Sequence, residues 1–176
     1  MHKYNIETCE SGEAIQAILN ELGQQRARVF IFYTDAHRKL SKRHAKFEHA
    51  MAQADRIFCA EELIGAPFIG QKEWLDGLAI ALKGRTSKVV VLAGPIKDAR
   101  DLAKKMETTH LGFSGLVAID LPPNYDSNET ITGHVIEAIN KVGAEIILLS
   151  SMLLNQEVWL ANYRHRLNCS VIIGLH

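Results

Sequence analysis

Between Ile139 and Leu175 the chain reads I-N-K-V-G-A-E-I-I-L-L-S-S-M-L-L-N-Q-E-V-W-L-A-N-Y-R-H-R-L-N-C-S-V-I-I-G-L. An apolar run at Glu145–Leu149 gives way to a loop at Ser150. A segment of helical period follows at Asn155–Arg166, then a second apolar run at Ser170–Gly174. Strand, loop, amphipathic helix and strand form the repeating unit of a parallel α/β protein.

The same alternation extends back to the N-terminus. Apolar runs at Arg28–Tyr33, Arg56–Cys59, Lys88–Ala93 and Gly115–Ile119 read as four further strands. They are apolar almost without interruption, as strands covered on both faces are. Helical spacing predicts helices over Gly12–Leu22, Ala36–Ala52, Lys72–Lys83, Ile96–Met106 and Glu129–Lys141. Ser11 is the expected N-cap of the first, and Asp126 with Glu129 has capping-box spacing before the fifth. Gly84 and Gly143 stand where helices end, and Pro95 where one begins. The fold class is therefore α/β: a single domain, 1–176, with a mainly parallel sheet of about six strands and helices on both faces. The turn-rich segment Leu121–Asn128 is the expected mobile loop.

Composition narrows the function. The 176 residues carry 20 Lys and Arg against 20 Asp and Glu, so no net field gathers nucleic acid. No apolar run reaches the roughly 20 residues of a membrane helix, and the first residues lack the apolar centre of a signal peptide. Cys9, Cys59 and Cys169 are widely spaced and fit a reducing cytoplasm as small buried residues. With no C-x-x-C and no H-E-x-x-H, no metal site is expected; His37, His44 and His49 lack the spacing of shared ligands. G-x-G-x-x-G after a strand, the P-loop and G-x-S-x-G are all missing.

In open parallel sheets ligands bind beyond the carboxyl ends of the strands. Four junctions qualify: Thr34–Asp35, Ala60–Glu62, Gly94–Pro95 and Ser150–Gln156. Each leads to a helix N-terminus, where free N–H groups favour phosphate. The basic segment His37–His49, read as one helix, spreads Arg38, Lys39, Lys42, Arg43 and Lys46 around a broad face suited to phosphates or lipid headgroups, or simply to solvent. Trp159 and Tyr163, four residues apart, read as core contacts of the last helix. Glu157 fits a helix-dipole role, whereas Gln156 is expected to direct its amide into the loop mouth.

These residues resemble a known family. Gln156-Glu157-Val158-Trp159 matches the Q-E-x-W of the WecG/TagA/CpsF glycosyltransferases (glycosyltransferase family 26). Ala54-Asp55-Arg56-Ile57-Phe58 resembles that family's A-D-L-V-L strand, and Val89–Gly94 its V-F-L-L-G-G. Ile69-Gly70 resembles the end of R-V-T-G, and Thr34 the Thr of T-x-N. The similarity is colinear over nearly the whole chain. It implies a Rossmann-like fold and an inverting, metal-independent hexosyltransferase that needs no cofactor. The implied partners are a UDP-N-acetylhexosamine-type donor and an isoprenoid-linked acceptor in cell-surface polysaccharide synthesis. The implied place is the bacterial cytoplasm, peripheral at the inner face of the membrane. A homo-oligomer is a further expected arrangement.

On this resemblance Thr34, Asp35, Gly94, Ser150, Ser151 and Gln156 bind the donor. The pattern also departs from the family. Its P-D-G carboxylate, the proposed base, falls on Ala60, so Glu61 or Glu62 is the expected catalytic carboxylate. The Arg before V-T-G is Pro67, with Lys72 the nearest cation. The G-x-G-x-P loop is Ser150-Ser151-Met152-Leu153-Leu154, which gives up the close backbone approach that glycine allows. The resemblance ends at His176, before the Gly-rich turn and basic tail with which family members continue. Two other readings stand beside the enzyme. One is a non-catalytic relative serving as a nucleotide-sugar or protein binding module, with Met152 and Leu154 filling the cleft. The other is an unrelated enzyme of phosphorylated metabolites, built around His134, Asp120 and Asp126.

Overall fold

The computed structural model describes residues 4–60, 69–94, 98–151 and 153–175. Six strands lie where the apolar runs predict them. They are β1 (Arg28–Tyr33), β2 (Arg56–Cys59), β3 (Val89–Ala93), β4 (Val117–Asp120), β5 (Ile146–Ser150) and β6 (Val171–Gly174). They form one sheet in the order β2-β1-β6-β5-β3-β4, and every pairing is parallel. The fold is Rossmann-like.

Strand alternation divides the core into two layers. On one face Phe30, Phe32, Val91, Leu148 and Ile173 pack with helices α1 (Ser11–Asn20), α4 (Gln71–Leu82) and α5 (Ala99–Thr109). On the other, Val29, Ile31, Leu92, Leu149 and Ile172 meet α3 (Ala45–Ala52), α6 (Glu129–Val142) and α7 (Leu153–Tyr163). Below the sheet, at the start of β1 and β2, Asp55 accepts from Arg28, from the Val29 N–H and from Arg164. One carboxylate thus ties the sheet edge to the end of α7.

Several local expectations change. The helix predicted over Ala36–Ala52 is two: α2 (Asp35–Ser41) and α3, separated at Lys42–His44. A continuous helix would set His44 on the buried stripe between Leu40 and Phe47. The break gives His44 extended geometry and leaves it exposed, while Phe47 still reaches the core. Ser11 is not the cap of α1. Glu10 is, and it exchanges bonds with the backbone and side chain of Glu13. Asp126 likewise yields to Asn128, whose side chain accepts from the Thr130 and Ile131 N–H groups. Gly143 ends α6 at φ 68°, as its position suggests. Pro95 and Ile96, expected at the start of α5, lie outside the described residues. Of the cysteines, Cys59 and Cys169 are buried and Cys9 is half-buried.

The loop after β4 is tied down. Tyr125 is 1% exposed and Leu121 is 2% exposed. The Leu121 N–H donates to Ala93 O at 2.7 Å, and the Thr132 hydroxyl donates to Tyr125 O. Turn composition alone does not reveal that an aromatic in the loop reaches the core.

Trp159 is 1% exposed between Tyr125 and Tyr163. Trp159→Ala should cost about 3–5 kcal/mol of folding free energy. Trp159→Phe should cost much less, because the indole Nε1–H has no hydrogen-bond partner among the described residues. Urea denaturation of both variants gives the comparison, and equal losses would refute it.

Candidate functional site

The sheet order fixes where a ligand can enter. β2 leads to α4 on one face, while its neighbour β1 leads to α2 and α3 on the other. β3 leads to α5, while its neighbours β5 and β4 lead to α7 and α6 across the sheet. The chain parts at such points and leaves a crevice beyond the strand ends. Thr34 and Ala60 flank the first crevice; Gly94, Ser150 and Ser151 flank the second.

The first crevice is a cavity of about 350 Å³ lined by Phe32, Thr34, Ala36, Ala60, Gln71, Trp74 and Gly174. Phe32 and Trp74 stack with ring centroids 4.0 Å apart, so one wall is a flat aromatic pair. Thr34 caps α2 through a reciprocal box in which His37 takes the place usually held by Glu or Gln. The Thr34 hydroxyl accepts from the His37 N–H. The Thr34 N–H donates to His37 Nδ1 at 3.0 Å. An Nδ1 that accepts carries no proton, so the neutral ring keeps its proton on Nε2. The Thr34 Oγ1–H then donates to Nδ1, 2.9 Å away. His37 is 0% exposed, in ring contact with Tyr33 and Phe47. Its Nε2 lies 3.8 Å from Glu157 Oε1. Burial pushes the Tyr33 phenol well above the ordinary tyrosine range.

At the second crevice, Gly94 has φ 133°, and a Cβ there would lie 2.4 Å from Leu121 O. Only glycine fits this approach. The Ser151 hydroxyl donates to Gly94 O at 2.8 Å. Tyr125 OH, 2.8 Å from Ser151 Oγ, must therefore be the donor of that pair. Burial raises the Tyr125 phenol to about 12, so it holds this proton throughout the neutral range. Gln156 is 0% exposed. Its Oε1 accepts from the Ser151 N–H at 3.0 Å and its Nε2 donates to Glu157 Oε1 at 3.1 Å. The amide expected in the loop mouth is turned inward and shapes the loop from behind. Glu157, assigned by sequence to the helix dipole, is 2% exposed and joins Gln156 to His37.

Asp35 sits in the first turn of α2, bound by Lys39 and Arg38, which hold its carboxyl below the usual range. Two cations of the expected basic face are thereby engaged. Arg43, His44 and Lys46 instead line a neighbouring cavity of about 470 Å³, together with Asp126, Leu154, Asn155 and Val158. Glu61, Glu62, Pro67 and Met152 lie outside the described residues. Asp120 accepts from the Ala99 N–H at the start of α5, and His134 is exposed on α6. Among the described residues no three His, Cys, Asp or Glu side chains gather as metal ligands, and no helix is long and apolar enough to cross a membrane.

The sequence reading missed His37. The signal was Thr34-x-x-His37, capping-box spacing at a strand's carboxyl end.

A family model described as the glycosyl transferase WecG/TagA/CpsF family matches residues 1–175. The chain belongs to that glycosyltransferase family, whose members serve cell-surface polysaccharide synthesis. No curated protein matches the chain significantly.

Gln156→Ala would leave the Ser151 N–H without its acceptor. It should cost about 1–3 kcal/mol, and thermal or urea denaturation measures the loss. Gly94→Ala should cost about 1–3 kcal/mol through backbone strain alone, more if Leu121 cannot move. A neutral outcome for either variant would show that the Gly94–Ser151–Gln156 chain does not hold the loop.

Proposed function

We propose that this protein binds a UDP-N-acetylhexosamine-type donor and transfers the sugar to an isoprenoid-linked acceptor. The observation that carries the reading is the cavity at the β1/β2 switch point, with the Thr34 hydroxyl on its wall. It belongs to a chain whose family performs glycosyl transfer.

The residues divide the work by chemistry. Thr34 offers a hydroxyl to the reacting sugars. Gly94, Ser150 and Ser151 form the loop edge facing the donor diphosphate, and the bonds of Ser151 to Gly94 O and Gln156 fix the shape of that edge. Asp35 contributes to the donor site by fixing the first turn of α2 through Lys39 and Arg38. Gln156 contributes through the Ser151 N–H that it holds. Arg43, His44 and Lys46 supply positive charge for the acceptor's diphosphate, beside the apolar Leu154 and Val158. Glu61 and Glu62 are the carboxylates proposed from sequence as base.

Ala60 in place of the family's aspartate favours a second reading, in which the fold binds a nucleotide-sugar or a protein without catalysis. A calorimetric titration with UDP and UDP-GlcNAc separates the readings first. Saturable heat that weakens in Ser151→Pro or Thr34→Val supports the donor site. No heat at millimolar ligand, with the protein folded, would remove the nucleotide-sugar from both readings and leave a protein scaffold. For the acceptor side, Arg43→Glu combined with Lys46→Glu should leave donor heat unchanged and reduce co-sedimentation with anionic vesicles. Unchanged sedimentation would count against a membrane-side role for this rim.

A further inference from the structure

We infer that Thr34, His37 and Glu157 form a buried proton relay that supplies the base function absent at Ala60. This rests on the glycosyl-transfer reading above.

The geometry assigns each proton. Thr34 Oγ1 accepts one hydrogen bond, from the His37 N–H, and donates its own hydrogen to His37 Nδ1. Its second lone pair is available to the cavity that Thr34 lines. A hydroxyl entering there donates to Oγ1 and completes a continuous chain: ligand O–H to Thr34 Oγ1–H to His37 Nδ1. Behind the ring, Nε2 faces the Glu157 carboxylate at 3.8 Å. That distance is too long for a hydrogen bond, but close enough for a buried carboxylate to stabilise an imidazolium. Gln156 Nε2 donates to the same Oε1 and holds the carboxylate in place. Ring contacts to Tyr33 and Phe47 fix the imidazole plane. Tyr33 and Glu157 are the titratable groups presented to the ring by β1 and α7.

The step balances as follows. The acceptor oxygen forms a bond to the donor's anomeric carbon as the bond from that carbon to the diphosphate oxygen breaks. UDP leaves with the electron pair. The acceptor's proton passes to Thr34 Oγ1 while the Thr34 hydroxyl proton passes to His37 Nδ1. Thr34 ends as it began. After product departure the imidazolium, opposite Glu157, returns its proton from Nδ1 to Thr34 Oγ1 as the Thr34 hydroxyl proton passes to water in the emptied cavity. Forming the imidazolium gives up the acceptance from the Thr34 N–H, because Nδ1 is then a donor. Thr34 touches the substrate, and His37 acts through it.

His37→Asn tests the relay. An asparagine Oδ1 can still accept from the Thr34 N–H, but it cannot take a proton at neutral pH. The first readout is nitrogen-15 NMR of the imidazoles, with the His37 signals identified by their loss in His37→Asn. The expected wild-type state is neutral, with the proton on Nε2, both alone and with UDP-GlcNAc. An Nδ1–H tautomer or a charged ring at neutral pH would overturn the relay. The second readout is UDP release from UDP-GlcNAc in the presence of a prenyl-diphosphate-linked N-acetylhexosamine. His37→Asn should bind UDP-GlcNAc within threefold of wild type and lose at least 100-fold in kcat. Thr34→Val should lose a similar factor and Thr34→Ser should retain most of the rate. Near-normal kcat in His37→Asn would overturn the relay. So would a wild-type protein that binds the donor yet releases no UDP. Absence of donor binding by wild type would instead refute the glycosyl-transfer reading, and the relay with it as a catalytic device. The NMR result would still report the tautomer independently.

Discussion

A parallel sheet covered on both faces has one place for chemistry. Its strands here are apolar on either side, and two helical layers seal them. A polar group placed mid-sheet would lose water without gaining partners. Polar side chains therefore collect beyond the strand ends, where the backbone turns toward the helices. The strand order then selects among the ends. β1 and β2 send their chains to opposite faces, and β3 does so against both its neighbours. Thr34, Ala60, Gly94, Ser150 and Ser151 stand at these partings, where the strand order opens crevices beyond the strand ends.

The two crevices are joined by one buried polar line. It runs from Gly94 O through Ser151 to Gln156, then Glu157, His37 and Thr34. Each link is short-range, yet together they connect the exits of β3, β5 and β1. This explains why Gln156 and Glu157 are buried at the start of an otherwise ordinary amphipathic helix. Gln156 takes up the Ser151 N–H, which would otherwise lose its acceptor, and Glu157 sets its charge opposite the His37 ring. Tyr125 reaches in from the loop after β4 and donates to Ser151, so a fourth strand exit is anchored to the same point.

Much of this was legible in the sequence, for identifiable reasons. Val- and Ile-rich runs mark β1, β2, β3, β5 and β6 because double-sided burial leaves no polar alternation to confuse them. Gly94 and Ser151 were legible as junction residues because they follow those runs. The division of α2 from α3 was hidden, since Leu40, Phe47 and Met51 keep helical spacing across the break. The break leaves His44 exposed, a tertiary fact that spacing does not reveal. Gln156 was read with its amide outward because a polar residue at a loop is ordinarily solvated. Its inward turn depends on the Ser151 N–H, which no spacing rule reveals. His37 was weighed as a metal ligand and passed over as a capping residue, although Thr34 stands three residues before it.

Ala60 takes on a particular meaning in this setting. An alanine at a crevice brings neither charge nor proton acceptor and leaves space. The cavity beside Ala60 is walled by Phe32 and Trp74, so its volume there is largely apolar. In such surroundings the Thr34 hydroxyl, bonded to a buried imidazole, is a polar group on the cavity wall. Proton transfer tolerates little misplacement, and the Thr34 hydroxyl has little freedom to move. It is held by the His37 N–H on one side and Nδ1 on the other, and the imidazole is held in turn by Tyr33, Phe47 and the charge of Glu157. Ala60 and Thr34 are two sides of the same crevice, and the ordered polar groups stand on the Thr34 side.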